Sequence, residues 1–188
     1  MRIERNVRAV LTRAEMMALY SACDPTPLGM RDRAMLALYY GCGLRRGEGV
    51  GLDVNDLLFS QGLVYVRHGK GYRERYVPMN HRVVDDLRQY LQHSRPLLLG
   101  SQTSPALLVS SLGRRANPLT LAHRLQYLQV QSGHLSLQQK SISLHCLRHS
   151  VATHLLLNGM ELERIAHFLG HTSLESTQIY THLAHEVL

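Results

Sequence analysis

Six side chains suit phosphoryl transfer to a protein oxygen: Arg45, Lys70, His145, Arg148, His171 and Tyr180. Four of them lie in the last quarter of the sequence. There, His145-Cys146-Leu147-Arg148-His149 is followed by Gly170-His171 and, nine residues on, by Tyr180. A guanidinium can donate two parallel bonds to the nonbridging oxygens of one phosphodiester. An imidazole can move a proton, and tyrosine is an uncommon covalent nucleophile. Arg45 and Arg148 are the candidates for the clamp. Arg45 follows a Gly41-Cys42-Gly43 break that frees it to point into a cleft, and Glu48, three residues on, is within helical reach to orient it. Lys70 sits between two glycines at a hairpin tip, where it can act as general acid toward a leaving oxygen. The Tyr180 phenol has a reference pKa of about 10, so reaching phenolate at neutral pH costs about 4 kcal/mol. Two arginines and an imidazole beside it would offset much of that. Tyr180 therefore makes chemical sense only next to those groups.

Each residue also has an ordinary reading. Surface arginines and a lysine at a turn are commonly just solvated. Tyr180 is one of nine tyrosines, and twelve histidines make any single one weak as a signal. His171, just after the Gly170 stop, can cap a helix C-terminus. His149 and His154 are expected to pack or hydrogen-bond structurally. His145 and His149 lie at i and i+4, which is metal-ligand spacing. No HExxH glutamate or third ligand accompanies them, so neither a metal nor another cofactor is expected.

The chain has 188 residues, enough for one domain with a substantial core. A formal charge of +7 suits a polyanionic partner. Three cysteines without a CxxC pair support neither a disulfide framework nor a zinc knuckle, and a reducing cytoplasm is expected. No apolar run approaches the ~20 residues of a membrane span, so no membrane association is expected. The first residues lack a signal-peptide core.

The elements that must position the six groups follow from periodicity and punctuation. Residues 1–11 read as a linker or incoming segment, and 12–188 as the catalytic domain. Thr12-Arg13-Ala14-Glu15 is a capping-box pattern opening a helix to about Cys23. Residues 24–29 break it, and a second helix spans about 30–40 until Gly41-Cys42-Gly43. A short helix through Arg45 and Glu48 follows, made intrinsically poor by Gly47, Gly49 and Gly51. Residues 63–67 and 72–77 pair as a hairpin around His68-Gly69-Lys70-Gly71, and Pro78 ends the second strand. A helix covers 81–92. Residues 93–118 are mostly loop, with a short strand at 107–109. A helix spans 119–130, and 132–143 is irregular. Helices then span 146–157, capped by Asn158-Gly159, and 162–169, stopped by Gly170. A last helix over 174–179 delivers Tyr180 at its end. The fold class is thus α+β, mainly α-helical, with a small antiparallel sheet.

With these residues assembled, the chain resembles the catalytic domain of the tyrosine recombinases, the lambda-integrase and Xer-type family. The matching stretches are Gly43-Leu44-Arg45-x-x-Glu48, Gly69-Lys70-Gly71-x-Arg73-x-Arg75-x-Val77-Pro78, His145-x-Leu147-Arg148-His149-Ser150-x-Ala152-Thr153-His154-Leu155 and Leu169-Gly170-His171-x-Ser173-x-x-x-Thr177-x-x-Tyr180-Thr181-His182. They occur in the family's order from about residue 11 to the end. The resemblance implies cleavage and rejoining of double-stranded DNA through a 3'-phosphotyrosine, without ATP or metal. Tyr180 would be the nucleophile, and Arg45 and Arg148, helped by His171, would stabilise the phosphorane. Lys70 would protonate the 5' oxygen, and His145 would assist proton transfer at the tyrosine. It also implies other recombinase protomers as partners, four on DNA for a full-length protein, and roles in site-specific recombination or mobile-element integration. Two rival functions share the fold: a type IB topoisomerase-like relaxing enzyme and a non-catalytic DNA-binding module. The chain departs from the family in lacking the N-terminal core-binding domain and in ending eight residues after Tyr180. Gly47 and Gly49 also stand where relatives often carry larger residues.

Overall fold

The first helix, α1 (Arg13–Ser21), starts where the capping pattern places it. The Thr12 hydroxyl accepts from the Glu15 N–H while the Glu15 carboxylate accepts from the Thr12 N–H. Glu15 is buried and also pairs with Lys140 at 2.7 Å, tying α1 to the chain before α8. A computed structural model describes residues 9–67, 74–171, 176–178 and 180–181. Within it, α2 is Pro27–Leu36, continued by a π turn over Ala37–Gly41, and α3 is Arg46–Gly51. After the sheet come α4 (His81–Gln89), a π turn over Tyr90–Ser94, α5 (Arg95–Leu99), α6 (Pro118–Gln131) and α7 (Leu135–Gln138). The chain closes through α8 (Leu144–Leu157), α9 (Leu162–Leu169) and helical residues 176–178 and 180–181. No helix among the described residues is long and apolar enough to cross a membrane.

The sheet is antiparallel with strand order β1 (Leu57–Leu58), β2 (Leu63–Val66), β3 (Arg75–Pro78). The hairpin register pairs Val66 with Arg75 and Val64 with Val77. Alternation puts Arg75 and Val77 on one face, and Val77 is fully buried. Tyr76 points the other way and stacks on Tyr65, with ring centroids 5.1 Å apart. Residues 68–73, which include the expected turn and Lys70, lie outside the described residues.

Several expected boundaries are corrected. The second helix begins three residues earlier than expected, because the Thr26 hydroxyl accepts from the Gly29 N–H and Pro27 takes the first turn. A proline costs nothing there, since its missing N–H would have no intrahelical partner. Arg45 is not inside the third helix: it is the extended residue before it, and the Glu48 carboxylate accepts its backbone N–H at 2.8 Å. Residues 93–99 are helical rather than loop. The π turn, with the Arg95 N–H reaching back to the Tyr90 carbonyl, lets Pro96 sit in a new first turn instead of ending the helix. The stretch 107–109 makes one isolated bridge, Val109 with Arg115, rather than a strand, and β1 and α7 are additional elements. Helical structure also continues through Tyr180 to Thr181, so Tyr180 is not the helix's last residue.

The main core joins α1, α2, α4, α6 and the sheet through residues such as Leu19, Met35, Leu87, Val64 and Leu125. Burying each such side chain contributes about 1.5–3 kcal/mol. Residues 9–11 lie against this body: Leu11 is buried and its N–H donates to the Ser150 hydroxyl at 2.8 Å. The helix α8 is buried almost all round from Leu144 to His154. Its Ser150 and Thr153 hydroxyls bond back to the Cys146 and His149 carbonyls, which satisfies them inside the fold. A second cluster of Ala152, Ile165, Leu169 and Tyr180 joins α8, α9 and the last helical residues.

The glycines of α3 divide into two kinds. A Cβ on Gly49 would fall 2.5 Å from the Tyr39 ring, whose hydroxyl donates to the Arg46 carbonyl. Gly49 is therefore the seat of Tyr39, and packing offsets its poor helix propensity. A Cβ on Gly47 would meet nothing within 4 Å. Gly49→Ala should lower stability by about 1–3 kcal/mol through overpacking. Gly47→Ala should raise it by up to about 1 kcal/mol. Thermal melts of the two variants should move in opposite directions.

Candidate active site

Two chain breaks hold two arginines. The guanidinium of Arg148, on α8, is 1% exposed, and its terminal nitrogens donate to the Gly43 carbonyl at 2.5 Å and the Leu169 carbonyl at 2.7 Å. Arg45 donates to the Gly170 carbonyl at 2.9 Å and to Glu48 at 2.8 Å. Gly43 and Gly170, the stops of α2 and α9, thus bring their carbonyls to one place and draw Arg45 and Arg148 together. Gly170 adopts φ 65°, and a Cβ there would lie 2.7 Å from the Arg75 side chain, so only glycine fits.

Glu48 is the counter-charge. Both its oxygens accept from Arg75, at 2.7 and 2.9 Å, and it holds the Arg45 side chain and backbone N–H. Burial pushes its carboxyl up, but the bonds from Arg75 and Arg45 outweigh this and hold it at about 2. Burial, joined by the charge of Arg45, brings Arg148 down to about 10, against the pull of Glu48 and Tyr180. Arg148 is therefore still a cation at neutral pH.

The imidazoles and the phenol stand beside this group. His171 Nδ1 shares a 2.8 Å hydrogen bond with the Thr177 hydroxyl, which fixes the ring and leaves Nε2 as its other polar atom. Burial, then the charges of Arg148, Arg45 and Arg75, lower His171 to about 4. The Tyr180 ring is 1% exposed, lying parallel to His171 at 6.2 Å and 5.4 Å from His149. His145 packs edge-on to His149 at 4.2 Å.

Five of the six sequence-derived positions, Arg45, His145, Arg148, His171 and Tyr180, are thus drawn into one connected region around the start of α8 and the end of α9. Lys70 lies outside the described residues. His149 is nearer this region than a purely structural histidine needs to be. His154, five residues on and on a different face of α8, shares a 2.8 Å hydrogen bond with the Tyr40 hydroxyl. Arg75 was not among the six. The signal for it was available: it lies two residues before buried Val77 on an alternating strand, so its side chain turns inward.

Residues 9–186 match the phage integrase family. The chain belongs to that family, the tyrosine recombinases. It is 44% identical over 179 residues to the tyrosine recombinase XerD of Vibrio cholerae, a match covering 95% of this chain and 58% of that protein. The crystal structure of XerA recombinase superposes with a TM-score of 0.78 at 31% identity, covering 92% of this chain and 60% of that one. A Tn1549 transposon integrase in complex with circular intermediate DNA has the same fold, with a TM-score of 0.78 at 20% identity over 96% of this chain and 62% of that one. The chain thus spans a little under three-fifths of the curated XerD relative.

The charges make a pH prediction. His171 should titrate near pH 4 rather than 6.5, followed by its ring-proton NMR shifts. Between those values the unfolded chain binds a proton that the native site resists, so His171 makes stability fall as pH drops through that window. Glu48 adds a second loss as pH falls from about 4.5 toward 2, because its native carboxyl stays ionised longer than the unfolded one. A His171 midpoint at or above 6 would show that burial and the arginine charges together do not oppose protonation of the ring.

Proposed function

We propose that this chain is the catalytic part of a site-specific DNA recombinase acting through a 3'-phosphotyrosyl intermediate. The observation that carries the reading is the convergence of Arg45 and Arg148 on the Gly43, Leu169 and Gly170 carbonyls, with His171 and Tyr180 alongside. The recombinase relatives favour strand exchange over the relaxing-enzyme and binding-module alternatives.

Arg45 and Arg148 donate to the nonbridging oxygens of the scissile phosphate and stabilise the charge that builds on them in the trigonal-bipyramidal transition state. The neutral His171 adds a hydrogen bond from Nε2 without adding charge. The Tyr180 oxygen attacks phosphorus and yields its proton, with His145 assisting that transfer. The P–O5' bond breaks, and Lys70 donates the proton that makes the departing oxygen a 5' hydroxyl. The phosphodiester is exchanged for a phosphotyrosyl ester of similar energy, so a 5' hydroxyl from another strand reseals it by the reverse steps. No ATP, metal or other cofactor enters this balance. Because Arg148 and Tyr180 are each 1% exposed, the phosphate reaches them once the segment carrying Tyr180 moves away from α8 and α9.

The partner is double-stranded DNA, and the +7 charge suits it. One integrase of this fold is captured in complex with circular intermediate DNA. Exchange between two duplexes requires four cleavages, hence four protomers on DNA, with an N-terminal core-binding domain completing each clamp. A DNA partner and a chain whose three cysteines form no CxxC pair fit the cytoplasm as the working compartment, and integration of a mobile element is one outcome of the same chemistry.

A nicked suicide substrate tests the reading. Wild-type protein should form a covalent DNA adduct and Tyr180→Phe none; an adduct from the Phe variant, or none from wild type, overturns the proposal. Arg148→Ala should slow adduct formation by at least about 100-fold. Non-specific binding should lose only about one phosphate contact, read as a slightly smaller salt slope. Lys70→Ala should recover on a substrate with a 5'-thiolate leaving group, which needs no proton; continued failure there would remove Lys70 as the acid.

A further inference from the structure

Glu48 has more positive charge around it than its role beside Arg45 explains. It accepts the Arg45 backbone N–H and guanidinium, and both its oxygens also accept from Arg75, 27 residues away on β3. Arg75 is not needed to fasten the hairpin. Four ladder pairs join β2 to β3, and on the neighbouring strand Arg67, just past the Val66–Arg75 pair, binds Asp53 and Asp56 at 2.8 Å. Nor is it placed at no cost. Its Nε is buried without a hydrogen-bond partner among the described residues, and its side chain lies against the Gly170 backbone. A buried donor left unpaired works against stability. Arg45 bonds the Gly170 carbonyl, so Arg45 and Arg75 approach one peptide from two sides and share one carboxylate.

Building on the proposed function, we propose that Arg75 is a positioning residue that acts through Arg45. Its two-pronged grip fixes the plane and depth of the Glu48 carboxylate, and Glu48 then presents the Arg45 guanidinium to the scissile phosphate. Arg75 does not touch the reacting atoms. Its positive charge also reaches His171, where it is one of three arginines opposing protonation.

A double-mutant cycle tests this with single-turnover adduct formation on the nicked substrate. Arg75→Gln should slow the reaction by about 10–100-fold in the wild-type background, and by no more than about twofold in an Arg45→Ala background. Equal losses in both backgrounds would make Arg75 a mere stabilising contact and overturn the proposal. The 5'-thiolate substrate should not rescue Arg75→Gln; rescue would place the effect on the Lys70 side and also overturn it. Arg75→Lys, which keeps the charge but offers one bond for two, should fall between wild type and Arg75→Gln. A fully active Arg75→Lys would overturn the geometric argument. Failure of wild type to form any adduct would be a failure of the functional reading alone. The Arg75 proposal is then decided by NMR of the guanidinium nitrogens, assigned by loss in Arg45→Ala. Arg45 should give slowly exchanging terminal N–H signals in wild type and averaged ones in Arg75→Lys. Unchanged signals would overturn the proposal. If Arg75→Gln does not fold, Arg75→Lys carries the cycle, with the same additive result counting against it.

Discussion

Three guanidiniums, those of Arg45, Arg75 and Arg148, come together in a largely buried region, where one carboxylate holds the first two and backbone carbonyls hold the third. Like charges at such separations repel strongly where water is scarce. Glu48 gathers Arg45 and Arg75 directly, and the carbonyls of Gly43, Leu169 and Gly170 take up donors of Arg45 and Arg148. Folding thus fixes the positions of these guanidiniums through protein acceptors, which is the preorganisation the proposed phosphate-binding role requires. Such preorganisation is what makes electrostatic stabilisation of a transition state effective. Breaking a buried pair by removing one partner costs about 3–5 kcal/mol, because the other charge is left behind. That is why the fold around the site must remain stiff.

The stiffness is supplied by the scaffold. The helix α8 is enclosed on nearly all sides, and its polar side chains are satisfied internally, so Arg148 issues from one of the firmest elements in the chain. The short α3 has little helix propensity of its own. It is held by Tyr39 seated on Gly49, by the Glu48 contacts at its first turn and by the salt bridges of Arg67 just beyond it. Tyr180 is fastened differently: among the described residues it packs with Ala152, Ile165 and Leu169, in a cluster separate from the main core.

The charge field around His171 connects this architecture to chemistry. A histidine beside three cations stays neutral at physiological pH, so it can donate a hydrogen bond to a phosphate without itself competing as a cation. Its Nδ1 bond to Thr177 links that ring to the helical turn carrying Tyr180. His171 and Tyr180 therefore share a local support.

Much of this was legible in the residues. The Thr12 capping box, the Gly170 stop, the β2–β3 alternation and the helical periodicity of α8 and α9 are local rules, and they hold because neighbours along the chain enforce them. The types and order of Arg45, Lys70, His145, Arg148, His171 and Tyr180 likewise pointed to the family. Local rules failed where long-range contacts outvoted them. Pro96 does not end its helix, because the π turn at Tyr90–Ser94 absorbs it while Tyr90 is buried. Arg45 lies outside α3, because Glu48 takes its N–H and Gly170 its side chain. Arg75 stood in the sequence only as part of a family-matching stretch, because its partner Glu48 lies 27 residues away. Spacing determined which groups were available. Only tertiary structure decided that Glu48 would bind two arginines 30 residues apart and that Tyr180 would be buried, since both depend on bringing together segments whose separation in sequence carries no distance information.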